Sequence, residues 1–262
     1  HRGSPSMLDM MSKSLNRRRF LSLAATGALA PRFAVGTATA QAPTSWAGLV
    51  QSVIAEGQRF DPALVVEAAR VLSRRPMVPL VATDLPEGYA TLPYDQYVGI
   101  RAQPSGMIWA GENRGFTVEP LHRGYVFSSP VSLFTVEDEV VRRVAFDPGK
   151  FTYGRVTPPP AGTDLQFSGF RVSAGLERPY ELALFQGATF FRSLARGQNF
   201  GAMARALILR PGETRGEEIP FFRAYWIERP SPAAGVLVIH ALLDSESVTG
   251  AVRMTLRPGD IT

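Results

Sequence analysis

The sequence predicts a mostly β protein, a sandwich or barrel of antiparallel strands preceded by two short helices. The chain has 262 residues of which 45% are hydrophobic, enough to bury a full core. Its 21 Pro and 24 Gly separate many short segments that are rich in β-branched and aromatic residues. Residues 252–257 alternate apolar and polar side chains, as in a strand with one buried and one solvated face.

Two amphipathic helices are predicted ahead of the strands. From Ser45 to Gly57 the apolar residues recur at three- and four-residue spacing, which favours a helix with one buried face. A second helix is predicted from Asp61 to about Arg74, with Asp61 as the N-cap and Pro62 in the first helical position.

Ten segments are predicted to be strands because they are short, β-branched or aromatic, and bounded by Gly, Pro or charged turns. They are YVGIRA (97–102), MIWA (107–110), FTVEPL (116–121), VSLFTV (131–136), VVRRVAF (140–146), FRVSAG (170–175), ARALIL (204–209), FRAYWIE (222–228), GVLVIHALL (235–243) and AVRMTL (251–256). Their number and length favour antiparallel pairing over a helical bundle.

The basic character of the chain is concentrated in its first 40 residues. The formal net charge is +5, but residues 1–40 hold six of the 28 basic residues and one of the 23 acidic residues. The remaining chain has 22 of each and is neutral. We therefore expect no nucleic-acid partner.

Residues 1–40 are predicted to be a twin-arginine signal peptide, cleaved near Ala40. A charged NRRRFL segment precedes a short apolar run and a small-residue stretch. The motif consists of Arg17, Arg18, Phe20 and Leu21. HRGSPS, ahead of Met7, is interpreted as an expression scar or an upstream start. These features predict a periplasmic protein exported by the twin-arginine machinery; a chance arginine cluster near a membrane is the alternative.

Several classes of active site are excluded by residue type. The chain has no Cys, and its three His leave little for a metal site. It contains no phosphate-binding loop, HExxH helix or GxSxG nucleophile elbow. We therefore assign no catalytic residue, no metal ligand and no cofactor.

Two stretches, residues 184–209 and 215–230, place aromatic rings beside planar hydrogen-bonding side chains, and a third, residues 237–250, contains Asp244 followed by polar residues. This combination suits sugars, whose C–H faces stack on rings while their hydroxyls need polar partners. The candidate substrate-binding residues are Tyr94, Arg192, Gln198, Asn199, Phe200, Arg205, Glu218, Trp226 and Asp244. Core packing or loop capping is the alternative role for each of them. For Asp244, at the end of an apolar segment, the residues alone favour turn capping over acid or base chemistry.

A family resemblance is carried by many ordered segments. They are DQYVGIRAQP (95–104), LHRGYVFSSPV (121–131), DLQFSGFRV (164–172), GATFFR (187–192), GQNFG (197–201), GEEIPFF (216–222), YWIERP (225–230) and ALLDSESVTGAVRM (241–254). In order and spacing they resemble the osmoregulated periplasmic glucan biosynthesis proteins of the G and D type, from about Phe60 to Thr262. The twin-arginine leader favours the D branch.

The resemblance implies a β-sandwich of the galactose-mutarotase type, followed in the family by an immunoglobulin-like domain. Residues 41–262 would then be the N-terminal part of the sandwich, with its last strands and the second domain absent. The implied ligand is β-1,2-linked glucan. Some D-type relatives are similar to inverting endo-β-1,2-glucanases, whose two catalytic acids lie downstream of the segment that 241–250 matches. Asp244 is then expected to shape the cleft or to contact glucan.

Two hypotheses about function follow from the resemblance. In the first, the protein processes glucan backbones, and its catalytic acids lie outside this sequence. In the second, it is a non-catalytic glucan-binding factor that assists a membrane-bound glucan synthase, which would be a further partner. The residues downstream of Thr262 would distinguish the two hypotheses.

Overall fold

The two N-terminal helices form as predicted in the computed structural model, which describes residues 46–78, 84–232 and 235–259. Helix α1 spans Trp46–Val53 and helix α2 spans Pro62–Ser73. Asp61 is the N-cap of α2, and its Oδ1 accepts a hydrogen bond from the Ala63 amide at 2.8 Å. The predicted signal peptide lies outside the described residues.

Twelve strands and a short third helix follow α2 in the described chain. Helix α3 spans Tyr94–Tyr97. The strands are β1 Arg101–Ala102, β2 Phe116–Leu121, β3 Ser132–Glu137, β4 Val140–Arg143, β5 Phe151–Thr152, β6 Gly169–Ala174, β7 Tyr180–Gln186, β8 Phe190–Ser193, β9 Ala204–Arg205, β10 Phe221–Glu228, β11 Leu237–Asp244 and β12 Thr249–Leu256. None of the helices in the described ranges is long and apolar enough to cross a membrane.

The long strands form two five-stranded sheets. The first sheet has the order β12-β11-β10-β3-β4, and the second has the order β2-β6-β7-β8-β9. Strands β1 and β5 form a separate antiparallel pair. All neighbours are antiparallel except β3 and β10, which run parallel from the Ser132–Ala224 pair to the Val136–Glu228 pair.

The two sheets pack face to face around an aromatic core. Tyr225 of β10 meets Phe170 of β6 and Phe185 of β7, with ring centroids 4.9 and 6.0 Å apart. The opposite face of the first sheet is covered by α1 and α2, and there Trp226 stacks on Phe134 at 5.4 Å. The prediction of a mostly β, sandwich-type fold preceded by two short helices is confirmed.

Several predicted strands are shorter than expected or absent. MIWA forms only an isolated bridge at Ile108, because Trp109 has a left-handed φ of 61° that ends extended pairing. The start of YVGIRA belongs to α3 and the turn after it, which leaves only Arg101–Ala102 in a strand. ARALIL keeps only its first two residues in β9. Conversely, β7 and β8 were not predicted, although they pair in register from Ala183 to Phe185.

Candidate functional site

An aromatic cleft with a volume of about 440 Å³ lies where the β7–β8 hairpin meets the start of β10. Both sheets and the loop before β3 contribute to its walls. The lining residues that matter below are Phe127, Gln186, Phe190, Met203, Phe221 and Phe222. The walls are mainly apolar, and the polar groups are few, as is usual for small-molecule sites.

The β7–β8 turn holds one side of the aromatic cleft in place. Gly187 and Ala188 have left-handed φ angles of 79° and 47° at the start of the three-residue turn, residues 187–189, that joins β7 to β8. The Ala188 carbonyl accepts a hydrogen bond from the Phe222 amide at 3.2 Å, which ties the second sheet to the first. A Cβ on Gly187 would lie 3.3 Å from the Phe127 ring, so a side chain there would press against this wall of the cleft.

One side of the cleft carries a fixed polar group, the Gln186 amide. Its Nε2 donates to the Tyr97 hydroxyl at 2.7 Å and to Ser168 Oγ at 2.8 Å. Both hydroxyls donate onward to the His122 carbonyl at 2.9 Å. Because every member of this chain has a partner, the Gln186 side chain is held before any ligand arrives.

Buried Arg123 anchors the loop of residues 124–131, which forms another wall. Its guanidinium makes a bidentate ion pair with Asp84 at 2.6 and 2.8 Å. It also donates to the Ser128 carbonyl at 2.6 and 2.8 Å and to the Leu165 carbonyl at 2.7 Å. Hydrogen bonding to Arg123 lowers the pKa of the Asp84 carboxyl, so the pair stays charged at neutral pH.

His122 lies behind the cleft in an aromatic cage and is neutral. Its ring centroid lies 5.4 Å from those of Tyr89 and Tyr153 and 5.2 Å from that of Phe151. Burial lowers its pKa from 6.5 to about 4. Nδ1 lies 2.6 Å from the Arg123 carbonyl, so His122 supports the anchored loop and does not face the cleft.

Tyr94 belongs to a ring cluster that reaches the cleft wall. Its side chain is prominent on the surface, since the residue is 62% exposed. The ring lies 5.7 Å from that of Tyr125, which in turn lies 6.2 Å from that of Phe127. Tyr125 has a φ of 54°, a left-handed conformation that positions its ring between the other two. These rings offer stacking faces beside the cleft.

The family is settled by comparison with known proteins. The model of the family described as "Periplasmic glucan biosynthesis protein, MdoG" matches residues 60–262. The chain belongs to the MdoG family. The resemblance seen in the sequence is therefore confirmed.

The MdoG-family relatives are all similar at about the same level. "Glucans biosynthesis protein G" of Rhodopseudomonas palustris (strain BisA53) is 39% identical over 251 residues, which cover 95% of this chain and 47% of the relative. The protein of that name from Bradyrhizobium diazoefficiens is 41% identical over 208 residues, covering 78% and 41%. One from Vibrio cholerae is 39% identical over 222 residues, covering 82% and 41%. The chain thus spans less than half the length of these relatives. Assignment to the D branch stays a prediction.

Asp244, the acid at the end of β11, forms a buried ion pair in this MdoG-family chain. Its Oδ2 accepts from Arg223 Nε at 3.1 Å and from Arg223 Nη2 at 2.9 Å. Asp244 is 4% exposed and Arg223 is fully buried. Neither residue lines the aromatic cleft. The pair joins β10 to β11. The predicted roles of Asp244 in turn capping, cleft shaping or glucan contact stay predictions.

Glu218 is fixed by neighbours at the turn between β11 and β12. It accepts hydrogen bonds from the Ser247 amide and hydroxyl at 2.8 and 2.7 Å, and from Arg210 at 2.9 Å. Burial alone would raise the pKa of Glu218, but the hydrogen bonds from Ser245 and Ser247 and the Arg210 charge lower it. Glu218 is therefore ionised at neutral pH. Its neighbour Glu217 points elsewhere and pairs with Arg205 at 2.7 Å.

The other candidate residues do not share one site. Arg192 pairs with Glu181 on the face of the second sheet that points away from the core. In the β8–β9 loop, Gln198 caps the Ala195 amide, whereas Asn199 and Phe200 are exposed, Phe200 to 86%. Trp226 is fully buried beneath the helices, so its ring has no face open to a ligand.

None of the nine candidates is among the residues that line the aromatic cleft. The cleft is lined instead by other residues, such as Phe127, Gln186, Phe221 and Phe222. Phe221 and Phe222 could have been selected from the sequence, because they end the family segment GEEIPFF (216–222). Gln186 lies in the candidate stretch 184–209 but was not singled out, because β7 was not predicted. Among the described residues, no group of His, Asp and Glu could hold a metal ion.

Proposed function

We propose that this MdoG-family chain binds β-1,2-linked glucan in the aromatic cleft, as part of periplasmic glucan biosynthesis. The observation that supports this most is the pairing of aromatic walls with the fixed Gln186 amide in a cleft of about 440 Å³. The family name supports glucan as the ligand class and the periplasm as the compartment.

The chemistry of the cleft suits a sugar. The C–H faces of a glucosyl ring can stack on Phe127, Phe190 or Phe222, and ring hydroxyls can exchange water for the Gln186 and Ser168 side chains. Since both polar groups are already held by hydrogen bonds, binding costs little side-chain ordering.

The nearby acids favour binding over proton transfer as the role of this part of the protein. A general acid needs a raised pKa, whereas the pKa of Glu218 is lowered. Asp244 is held by Arg223 inside the sandwich. We therefore propose the non-catalytic binding role for these residues, and a processing activity would require acids elsewhere in the protein. Export by the twin-arginine machinery, cleavage near Ala40 and a glucan synthase as partner remain predictions.

Calorimetric titration with linear β-1,2-glucan tests the proposal. Phe127→Ala should weaken binding about tenfold, because it removes one stacking face. Phe200→Ala is the matched control, since it deletes an equally large ring that is exposed but outside the cleft lining. Circular dichroism would confirm that both variants fold. Equal effects of the two substitutions, or no binding by the wild-type chain, would contradict the proposal. Release of new reducing ends would instead support processing.

A further inference from the structure

A second hollow, of about 660 Å³, lies on the outer face of the second sheet. We name it the arginine trough. Its functional lining consists of Arg101, Trp109, Glu119, Arg171, Tyr180 and Glu181. Unlike the aromatic cleft, it is lined by about as much polar as apolar surface, and Asn113, Thr117 and Ser173 add neutral hydrogen-bonding groups.

Ion pairs hold the charged side chains of the arginine trough, together with Arg192, in a row across five strands. Glu119 lies 2.9 Å from Arg101 and 2.7 Å from Arg171. Glu181 lies 3.0 Å from Arg171 and 2.9 Å from Arg192 Nε. Three arginines thus share two carboxylates. The remaining guanidinium donors are fixed in direction and suit ligand hydroxyls.

The arginine trough and the aromatic cleft lie along the same face of the second sheet. Along β6, Gly169 pairs with Gln186 of the cleft and Ser173 pairs with Glu181 of the trough, and both lie on the same face of the strand, with Arg171 between them. The β-bulge opposite Val172 and Ser173 lets Gln186 and Glu181, five residues apart on β7, share this face. At a rise of about 3.3 Å per residue, the four residues from Gly169 to Ser173 span about 13 Å.

The surface between the aromatic cleft and the arginine trough is polar as well. Gln186, in the cleft, donates to the Tyr97 hydroxyl. Burial raises the pKa of Tyr97, and its hydrogen bonds with Ser168 and Gln186 and the Arg171 charge act against that rise. Polar groups therefore border both ends of this surface, Gln186 and Tyr97 beside the cleft and Arg171 beside the trough.

The trough wall also contains an unused polar group. Within the described ranges, the Tyr180 hydroxyl is buried and makes no hydrogen bond. A buried hydroxyl without a partner costs about 1–3 kcal/mol. A ligand hydroxyl that reached it would recover this cost.

We propose that the arginine trough is a second glucan-binding site, joined to the aromatic cleft, so that one linear chain occupies both. The inference rests on the proposed function of the cleft. Its consequence is a dependence on ligand length, because the second contact of a long chain is intramolecular. Arg171 lies at the junction of the two hollows and would contact the glucosyl units between them.

The test compares a β-1,2-linked trisaccharide with a chain of about ten glucosyl units, each titrated into the full chain. Wild type should bind the longer ligand at least about tenfold more tightly. Ser173→Tyr fills the trough without removing a charge, and Arg101→Gln removes its half-exposed end. Both variants should bind the longer chain within about twofold of the trisaccharide. Ser231→Tyr, an exposed substitution outside both hollows, is the matched control.

The outcomes separate this inference from the proposed function. If the wild type binds both ligands equally tightly, or if Ser173→Tyr and Arg101→Gln keep the full preference for the longer chain, the trough is not a glucan site. In that case, sensitivity of trisaccharide binding to Phe127→Ala would leave the proposed function standing. If neither ligand binds wild type, both proposals fail.

Discussion

Replacing Asp244 with alanine should destabilise the sandwich severely. The substitution removes the Asp244 carboxylate from beside the fully buried Arg223 guanidinium. At the observed separation of 2.9 Å, the attraction between the charges is about 6 kcal/mol for an effective dielectric constant of about 20. Relaxation and water entry return part of this energy. We therefore expect a loss of about 3–5 kcal/mol, the range for breaking a buried pair by removing one partner.

Urea unfolding at pH 7, followed by circular dichroism, measures this loss. Glu213→Ala is the matched control, since it removes an exposed acid from the loop before β10 and should change the free energy of unfolding by less than about 0.5 kcal/mol. Asp244→Asn keeps the shape and one acceptor and should fall between the two. Because whole domains are stable by only about 5–15 kcal/mol, the alanine variant should be close to unfolding at 37 °C.

Two results would refute this reasoning. A loss below about 1 kcal/mol for Asp244→Ala would mean that Arg223 does not depend on Asp244 for its charge balance. A stable variant that no longer binds glucan would instead make Asp244 a ligand contact.

Three further predictions concern the cleft and its support. The pKa of His122 is about 4 in the folded chain and 6.5 when the ring is exposed. Lowering the pH from 6.5 to 4 should therefore reduce the free energy of unfolding, measured in urea, by about 3 kcal/mol more in the wild type than in His122→Gln; equal pH dependence would contradict this. Gly187→Val should block glucan binding, whereas Gly212→Val, at a similar φ of 77° but in open space, should strain the backbone equally and leave binding intact. Arg123→Met should lower the free energy of unfolding by about 3 kcal/mol and expose residues 124–131 to limited proteolysis, an effect that Arg142→Met at an exposed ion pair should not have.

Much of the fold was predictable because its signals are local. The Asp61 N-cap and the Pro62 start of α2 follow from single-residue preferences, and β2 matches its predicted bounds of 116–121. The β7–β8 hairpin was missed because Gly187 suggested a loop, whereas it begins a three-residue turn between paired strands. The parallel pairing of β3 with β10 depends on residues about ninety positions apart, which no local pattern encodes.

The site was less predictable than the fold, for a physical reason. Residue type identified groups that could contact a sugar, but whether a side chain faces a cleft depends on which sheet face it occupies. Trp226 and Tyr225 are neighbours, yet one packs under the helices and the other between the sheets. Arg192 was selected for its chemistry, and only the strand register shows that it belongs to a row with Glu181 and Arg171.

The parallel seam between β3 and β10 also sets the order in which this protein can fold. The β3–β4 hairpin is synthesised early, but its partner strand is complete only at Glu228. Until then, the edge of β3 that will pair with β10 is open, and closing the seam requires a loop of about ninety residues. Such long-range pairing is slow. We therefore expect the second sheet, whose strands β6 to β9 are consecutive, to assemble first and the first sheet to close around it last.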